Sequence, residues 1–270
     1  MTELTRELAS FIAHTGIRDI PEQHIEKAKI CILDCLGSAL GGIDDEASEH
    51  IVRYVQRYGG TKRSSIWGAD FAADPASAAL ANGVIAHALD FDDYHEETVI
   101  HATSVCLPAL MALAEERHAS GQDMLAALIV AIDVAIRLGK AFGSYHYELG
   151  WHSSSTAGRF GAVAGVCNLL KLKEEEIINA LGICGTQAGG VRQVFGTMSK
   201  PLNVGKAAMD GVISALLAED GFTSSKHIIE GELGMLSVFT EHAQADEVLQ
   251  GLGSTWYIDQ ISLKPYPTCA

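Results

Sequence analysis

The sequence predicts an all-α protein built around one large helical bundle, and three observations lead to this prediction. Apolar residues recur at helical spacing through most of the chain. Strand-like alternation is convincing in one segment only, residues 256–263. The 270 residues are 48% hydrophobic and 20% charged, which is typical of a globular protein that buries a substantial core.

The first predicted elements have recognisable beginnings and ends. Residues 1–16 (MTELTRELASFIAHTG) predict an amphipathic helix, and their acidic side chains are not those of a signal peptide. Pro21 stands where the first turn of a second helix is expected, and Gly41-Gly42 end that helix. A third helix is expected over residues 49–58, followed by a short extended stretch at residues 64–67.

The rest of the chain predicts further helices and one strand. The predicted helices cover residues 75–88, 108–117, 121–142, 156–170, 174–184, 203–219 and 246–252. The predicted strand, residues 256–263, has no partner strand in the sequence. We therefore interpret it as the first strand of a second, α/β domain, which places the predicted domains at residues 1–254 and 255–270.

Composition argues against several classes of protein. Lys and Arg total 19 against 34 Asp and Glu, so no continuous basic surface for nucleic acid is expected. The most apolar stretch, residues 124–138, contains Asp133 and Arg137 and is too short to span a bilayer, so no membrane association is expected. The six cysteines form no CxxC pair, which predicts reduced thiols in a cytoplasmic protein.

The most unusual segment runs from Asp90 to His101 (DFDDYHEETVIH), and we call it the acidic segment. His87 precedes it, so many titratable groups lie between two apolar helical stretches. A charge run is usually a solvated loop, but carboxylates drawn into the interior beside histidines acquire pKa values suited to proton transfer. Asp and His at these spacings could instead hold a divalent ion, although neither an HExxH nor an EF-hand pattern is present.

Three other segments carry candidate side chains, each of them a modest signal by itself. His152 follows a Gly-Trp pair and could equally be a buried structural histidine. Arg192 and Lys200 lie in a glycine-rich stretch, where they could project into a cleft or remain solvated. Two prolines stiffen the chain around Lys264 and Cys269.

Taken together and in order, the four segments resemble the MmgE/PrpD family. The motifs are ALDFDD followed by His101, then WHSSSTAGRFGAVAG, VFGTMSKPLNVGKAAMDG and LKPYPTC. The family includes 2-methylcitrate dehydratase, cis-aconitate decarboxylase and iminodisuccinate epimerase. The resemblance covers the entire chain and implies a large all-helical domain followed by a smaller α/β domain, usually as a homodimer. It also implies that this chain holds the helical domain and only the first strand of the second.

The resemblance assigns roles to particular residues. Four residues match catalytic positions of decarboxylase-like members: Asp90, His101, Lys200 and Lys264. Four more are expected to bind substrate: Tyr94, His152, Arg192 and Cys269. The other acidic side chains of the acidic segment are expected to be structural or have no assigned role: Asp92, Asp93, Glu96 and Glu97.

The chain departs from the family pattern at four positions. Tyr94 stands where the family usually has Thr, Ala102 where Pro is frequent, and Asn203 where His is frequent. Position 269 is His in the decarboxylases and Cys here. These differences argue against cis-aconitate decarboxylation and leave the family resemblance intact.

The expected chemistry is proton transfer alpha to a carboxylate of a small di- or tricarboxylic acid, in a lyase- or isomerase-type reaction similar to that of 2-methylcitrate dehydratase. Cations must stabilise the enediolate-like charge, so Lys200, Lys264 and Arg192 are expected to hold the carboxylate. His101 is expected to carry the proton, and Asp90 to orient His101 or take the second proton-transfer role. This scheme requires no metal and no organic cofactor.

Two alternatives from other classes stay open. The chain could be a truncated or split-gene product that serves as a non-catalytic helical interaction module. It could also be a metal-dependent hydrolase that uses the acidic segment. The expected partners are a small polycarboxylate substrate and a second copy of the chain, or a second chain that supplies the remainder of the fold.

Overall fold

A computed structural model describes residues 3–267 and confirms the all-α prediction. The helices are α1 (Leu4–His14), α2 (Glu22–Gly42), α3 (Glu46–Tyr58), α4 (Pro75–His87), α5 (Ala102–Arg117), α6 (Gly121–Glu148), α7 (Ser153–Leu169), α8 (Glu174–Gln187), α9 (Ser199–Glu219) and α10 (Met235–Val238). The described strands form two small antiparallel pairs: β1 (Ser64–Ser65) with β2 (Ala72–Ala73), and β3 (Tyr94–His95) with β4 (Ile261–Ser262).

Capping side chains and prolines determine where several helices begin. Asp74 accepts hydrogen bonds from the backbone N–H groups at the start of α4, and Pro75 occupies the first turn. Asp45 caps α3 in the same way, so this helix begins at Glu46 and not at the predicted residue 49. Asp and Pro at these positions satisfy or remove backbone donors that the first turn of a helix leaves unpaired.

Helix α5 begins six residues before its predicted start, at residue 108, because packing outweighs local signals. Helix α5 begins at Ala102 and runs through Pro108, since residues 102–107 are all buried and their contacts offset the cost of an interior proline. The helical geometry of α6 is interrupted directly after the predicted end at Phe142, and a further helical stretch then runs to Glu148. The helix changes direction at Gly143, whose φ of +70° is a conformation that favours glycine.

Helix α7 lies in the middle of the bundle, where it packs against α5, α6, α8 and α9. Helices α4 and α9 approach each other most closely at two glycines. A Cβ atom on Gly83 would lie 2.7 Å from the Cα atom of Gly205, so neither position accommodates a side chain without a shift. The end of α4, at His87, and the start of α9, at Lys200, consequently lie on either side of one cavity.

The C-terminal segment differs most from its prediction. Residues 257–260 form a 3₁₀ turn, and only Ile261–Ser262 of the predicted strand are extended. The expectation that this strand has no partner was wrong, because it pairs antiparallel with Tyr94–His95 of the acidic segment. The predicted helix over residues 246–252 is a 3₁₀ turn at Ala245–Val248. The domain boundary at residue 254 stays a prediction.

A buried ion pair in α6 holds this C-terminal segment. The Arg137 side chain is fully buried, pairs with Asp133, and donates hydrogen bonds to the carbonyl oxygens of Gln250, Gly251 and Thr255. Asp133 in turn accepts the backbone N–H of Tyr257, at 3.1 Å. The two charges that interrupt the apolar stretch of α6 thus satisfy backbone groups of a segment far along the chain.

Within residues 3–267, no helix has both the length and the apolar character needed to cross a bilayer.

Replacing Arg137 should therefore destabilise the fold strongly. We expect Arg137→Met to lower the free energy of unfolding by about 3–5 kcal/mol, because it leaves a buried carboxylate unpaired and three carbonyl oxygens without their donor. Chemical denaturation measures the change. The matched control, Arg57→Met at an exposed position of α3, should change stability by less than about 0.5 kcal/mol. Equal stabilities for the two variants would contradict this account of Arg137.

Candidate active site

The candidate site lies where four separate parts of the chain meet. The end of α4 contributes His87, the acidic segment contributes Asp90, the start of α9 contributes Lys200, and the C-terminal segment contributes Lys264. Asp90 has a φ of +52°, the left-handed conformation that non-glycine residues adopt at a cost of about 1–2 kcal/mol. Contacts with the surrounding elements have to hold this residue in place.

Two ammonium groups meet at Asp90. Lys200 Nζ contacts one carboxylate oxygen, and Lys264 Nζ lies 2.9 Å from the other and 2.9 Å from the Asp90 carbonyl oxygen. Burial alone would raise the pKa of Asp90, but the hydrogen bond from Lys200 and the nearby positive charges outweigh it and lower the pKa to about 2. Asp90 is therefore ionised at neutral pH and has no proton to donate. We call Asp90, Lys200 and Lys264 the ion cluster.

A second carboxylate, Asp92, lies between two imidazoles. His87 Nδ1 is 2.9 Å from both oxygens of Asp92, and the Ser104 hydroxyl donates to the same carboxylate. His101 Nδ1 lies 3.2 Å from Asp92 Oδ2, close enough for ion pairing although not aligned as a hydrogen bond. We call His87, Asp92 and His101 the imidazole group.

Burial and neighbouring charges shift the pKa values of two members of the imidazole group, Asp92 and His87. Burial opposes the charged form of Asp92, but His87 and His101 outweigh it and hold the pKa of this carboxyl well below its usual range. Burial lowers the pKa of His87 and outweighs the opposing effect of Asp92. His87 is therefore a neutral imidazole at neutral pH, and Asp92 is a carboxylate.

The structure changes the partner that the sequence analysis expected for His101. His101 Nε2 lies 3.7 Å from Asp90, which is too long for a hydrogen bond, whereas Asp92 is nearer to the other ring nitrogen. Asp92 is thus better placed than Asp90 to orient His101. The site predicted from the sequence includes neither His87 nor Asp92. Their five-residue spacing across a helix end, beside the DFDD run, is the signal that could have identified them.

Two of the predicted substrate-binding residues lie beside these groups. The ring centroid of His152 is 6.3 Å from that of His87 and 5.0 Å from that of Phe195. Burial lowers the pKa of His152 well below its usual range, and the neighbouring imidazoles add to the effect. Tyr94 lies between the two groups, with its ring 6.3 Å from His101 and 5.5 Å from Lys264 Nζ.

The other two predicted substrate-binding residues are Arg192 and Cys269. The Arg192 guanidinium stacks on the ring of Tyr147 at 3.6 Å and donates to the Tyr147 carbonyl oxygen. The guanidinium carbon also lies 5.8 Å from the centroid of the Phe195 ring, which lines the cavity, so a role of Arg192 in substrate binding stays a prediction. Cys269 lies outside the described residues.

A cavity of about 440 Å³ opens beside the ion cluster. Charged and polar groups of the site form one part of its wall, through His87, Asp90 and Lys200. Phe195 and Met198 supply apolar surface nearby. An apolar wall beside the ammonium group of Lys200 is suited to a small acid whose carboxylate faces this lysine.

Four of these residues also have the composition of a cation site. One ligand atom from each of His87, Asp90, Asp92 and His101 lies within 4.8 Å of the others. However, both oxygens of Asp90 already face ammonium groups, and Asp92 already accepts from His87 and Ser104. An arriving cation would be repelled by Lys200 and Lys264 at about the same place. The donor set as arranged therefore favours a hydrogen-bonded ion network over a metal centre.

Comparison with known proteins shows the family of this chain. Residues 6–248 match the MmgE/PrpD N-terminal domain family. The chain belongs to the MmgE/PrpD family. It is 32% identical over 280 residues to a cis-aconitate decarboxylase of Aspergillus terreus, covering 98% of this chain and 57% of that protein.

Two mammalian relatives show similar identity and coverage. The cis-aconitate decarboxylase of Homo sapiens is 31% identical over 277 residues, with 99% of this chain and 57% of the human protein covered. The cis-aconitate decarboxylase of Mus musculus is 31% identical over 278 residues, with 99% and 56% covered. The chain thus spans a little more than half the length of these curated relatives.

A further buried carboxyl, Asp93, lies next to the imidazole group in this MmgE/PrpD domain. Its side chain is fully buried and accepts the hydroxyl of Thr103 at 2.6 Å. Burial raises the pKa of Asp93 to about 7, and the neighbouring carboxylates Asp92 and Asp34 add to this effect against the opposing hydrogen bond from Thr103. Asp93 therefore changes charge near neutral pH.

Asp93 should make stability depend on pH. Its folded-state pKa exceeds the unfolded value of about 3.9, so the folded state holds the extra proton between about pH 4 and pH 7. Stability is consequently lost as the pH rises through this window. Asp93→Asn removes the ionisation and keeps an acceptor for Thr103. We expect it to match the parent chain near pH 4 and to exceed it at pH 8, by up to about 4 kcal/mol.

Denaturant unfolding at several pH values measures this difference. Asp44→Asn, at an exposed position, is the control and should show a difference from the parent chain that is nearly constant across the same range. A constant difference for Asp93→Asn would show that Asp93 stays ionised throughout.

Proposed function

We propose that this protein is a lyase- or isomerase-type enzyme, similar to 2-methylcitrate dehydratase, that moves a proton alpha to a carboxylate of a small di- or tricarboxylic acid. The observation that carries the proposal is the ion cluster beside the imidazole group, at one end of the cavity. It combines cations for a carboxylate with imidazoles for a proton, which are the two requirements of this chemistry.

The two lysines are the proposed carboxylate holders. Lys200 and Lys264 are neutralised by Asp90 before substrate binds, and their side chains are largely buried. A substrate carboxylate that approaches Lys200 replaces part of that pairing, so the buried ammonium charge is never left alone. As negative charge develops on the substrate carboxylate in the transition state, both ammonium groups stabilise it.

His101 is the proposed proton carrier. An imidazole titrates near neutral pH and can both accept and return a proton. Asp92 faces its Nδ1 atom, so the opposite nitrogen, Nε2, is the one directed towards Asp90 and the lysines. Asp90 holds the lysines in place in this scheme and does not transfer a proton itself, because its pKa is about 2.

The departures from the family pattern bear on which reaction takes place. Tyr94 is in contact range of His101 and Lys264, and Asn203 contacts the Nδ1 atom of His152 at 3.1 Å. We propose that both side chains contribute to the choice of substrate. Because they differ from the usual Thr and His of the family, we propose dehydration or epimerisation ahead of decarboxylation of cis-aconitate.

Assembly and location remain predictions. We propose that the working enzyme is a cytoplasmic homodimer, and that a second chain supplies further parts of the pocket if this chain alone is inactive. A non-catalytic interaction module and a metal-dependent hydrolase are the competing hypotheses. Size-exclusion chromatography with light scattering measures the assembly directly.

A substrate screen tests the proposed function. We expect NMR of the chain with small di- and tricarboxylic acids to detect loss of water, or deuterium uptake alpha to a carboxylate, and we expect this turnover to survive a chelator. His101→Ala should abolish it, a loss of at least about 100-fold, because the proton carrier is removed. His50→Ala, at an exposed position of α3, is the control. Full activity in His101→Ala would exclude His101, and activity lost on chelation would favour the hydrolase.

Lys200→Met should weaken binding of the acid. We expect KM for a di- or tricarboxylate to rise by at least about 10-fold, because a buried charge-assisted contact is worth about 1.5–3 kcal/mol. Lys226→Met removes an exposed lysine and should leave KM unchanged, which controls for the change in net charge. An unchanged KM in Lys200→Met would contradict the role of Lys200 as a carboxylate holder.

A further inference from the structure

Asn203 and His152 form a side-chain contact that determines which nitrogen of the imidazole carries the proton. Asn203 Nδ2 lies 3.1 Å from His152 Nδ1. An amide N–H group can only donate a hydrogen bond, so the ring nitrogen that faces it presents a lone pair. In a neutral imidazole, the proton then resides on the other nitrogen, Nε2. The contact thus selects one of the two tautomers of His152.

The surroundings of His152 keep its ring neutral, as this tautomer requires. The residue is 2% exposed and directly precedes α7, where the helix dipole disfavours a cation. Burial lowers the pKa of His152 well below its usual range. Three neighbours lower this pKa further, against the opposing charge of Asp90: His87, His101 and Lys200. An imidazolium would carry protons on both nitrogens and bring two donors face to face at the amide.

Contacts between α7 and α9 hold Asn203 in place. The Asn203 carbonyl oxygen accepts the Ser155 hydroxyl at 3.2 Å, and Ser155 Oγ accepts from Arg159 Nη2 at 3.2 Å. Arg159 is 3% exposed and pairs with the buried Asp210. A Cβ atom at Gly190 would lie 3.3 Å from Asn203 Cγ, so the backbone at Gly190 packs closely against the amide. The donor that faces the imidazole is therefore supported by two helices and a buried ion pair.

The other two imidazoles of the site have the opposite kind of partner. The Nδ1 atoms of His87 and His101 both face the carboxylate of Asp92, which only accepts hydrogen bonds. His152 Nδ1 faces a donor instead. His152 is therefore not placed to take a proton from a substrate, because its Nε2 atom already carries one and the lone pair of Nδ1 is engaged by Asn203.

We propose that Asn203 is a positioning residue that holds His152 as the neutral Nε2–H tautomer, so that His152 is a hydrogen-bond donor and proton transfer is left to His101. The tautomer follows from the contacts of this chain, whereas the division of roles between the two histidines rests on the proposed function. The two parts are therefore tested by separate measurements.

Nitrogen NMR of the 270-residue chain measures the tautomer directly, because protonated and unprotonated imidazole nitrogens resonate far apart. We expect the ring of His152, assigned through its own backbone resonances, to show an unprotonated Nδ1 and a protonated Nε2 at neutral pH. A protonated Nδ1 in the parent chain would overturn the inference. This measurement needs no variant, so it does not depend on whether a substituted chain folds.

Asn203→Asp tests whether residue 203 selects the tautomer. A carboxylate only accepts hydrogen bonds, so His152 Nδ1 should become protonated and its resonance should move to the protonated range. Gln56→Glu makes the same change from amide to carboxylate at an exposed position of α3 and should leave the His152 resonances in place. A folded Asn203→Asp chain in which Nδ1 stays unprotonated would overturn the role of Asn203.

Turnover tests the division of roles between the two histidines. His152→Gln supplies an amide donor but no base, so kcat should fall by less than about 10-fold. Loss of a general base costs at least about 100-fold, so a fall of that size in a folded His152→Gln chain would overturn the assigned roles and leave the proposed function standing. A parent chain that turns over no di- or tricarboxylic acid would overturn the proposed function, and nitrogen NMR would still decide the tautomer.

Discussion

The candidate site depends on the ion pairs that join Asp90 to Lys200 and Lys264. These pairs connect residues that are 110 and 174 positions apart in the chain, so they tie three segments together at one point. They also place two ammonium groups in a largely buried position, where each would be unfavourable without a carboxylate. The left-handed backbone of Asp90 is compatible with this position, because its carbonyl oxygen also faces Lys264.

Charge balance explains how so many titratable groups share one interior region. Two carboxylates, Asp90 and Asp92, match two ammonium groups, while burial keeps His87 and His152 neutral. In the proposed function, the lysines hold a substrate that carries more than one negative charge. Such a site is poised for an anion, even though the whole chain carries a net charge of −15.

Helix packing supplies the precision that this chemistry requires. Gly83 and Gly205 let α4 and α9 approach closely, which sets His87 and Lys200 on one cavity. On the other side, the buried Arg137 holds the carbonyl groups before β4, and β4 pairs with the acidic segment just ahead of Lys264. Small residues and one buried arginine, none of which belongs to the candidate site, therefore position the groups of that site.

The sequence by itself determined the helical fold and most helix locations, because periodicity and capping residues are short-range properties. It also determined the family, because the local motifs that identify the family are short-range as well. These motifs contain Asp90, His101, Lys200 and Lys264. Tertiary structure alone decided that Asp92 faces His101, that Arg192 turns to Tyr147, and that residues 261–262 pair with the acidic segment. These contacts join side chains and strands whose directions depend on how whole helices pack. Local sequence patterns contain no such information, since burial and pairing are settled only when distant segments meet.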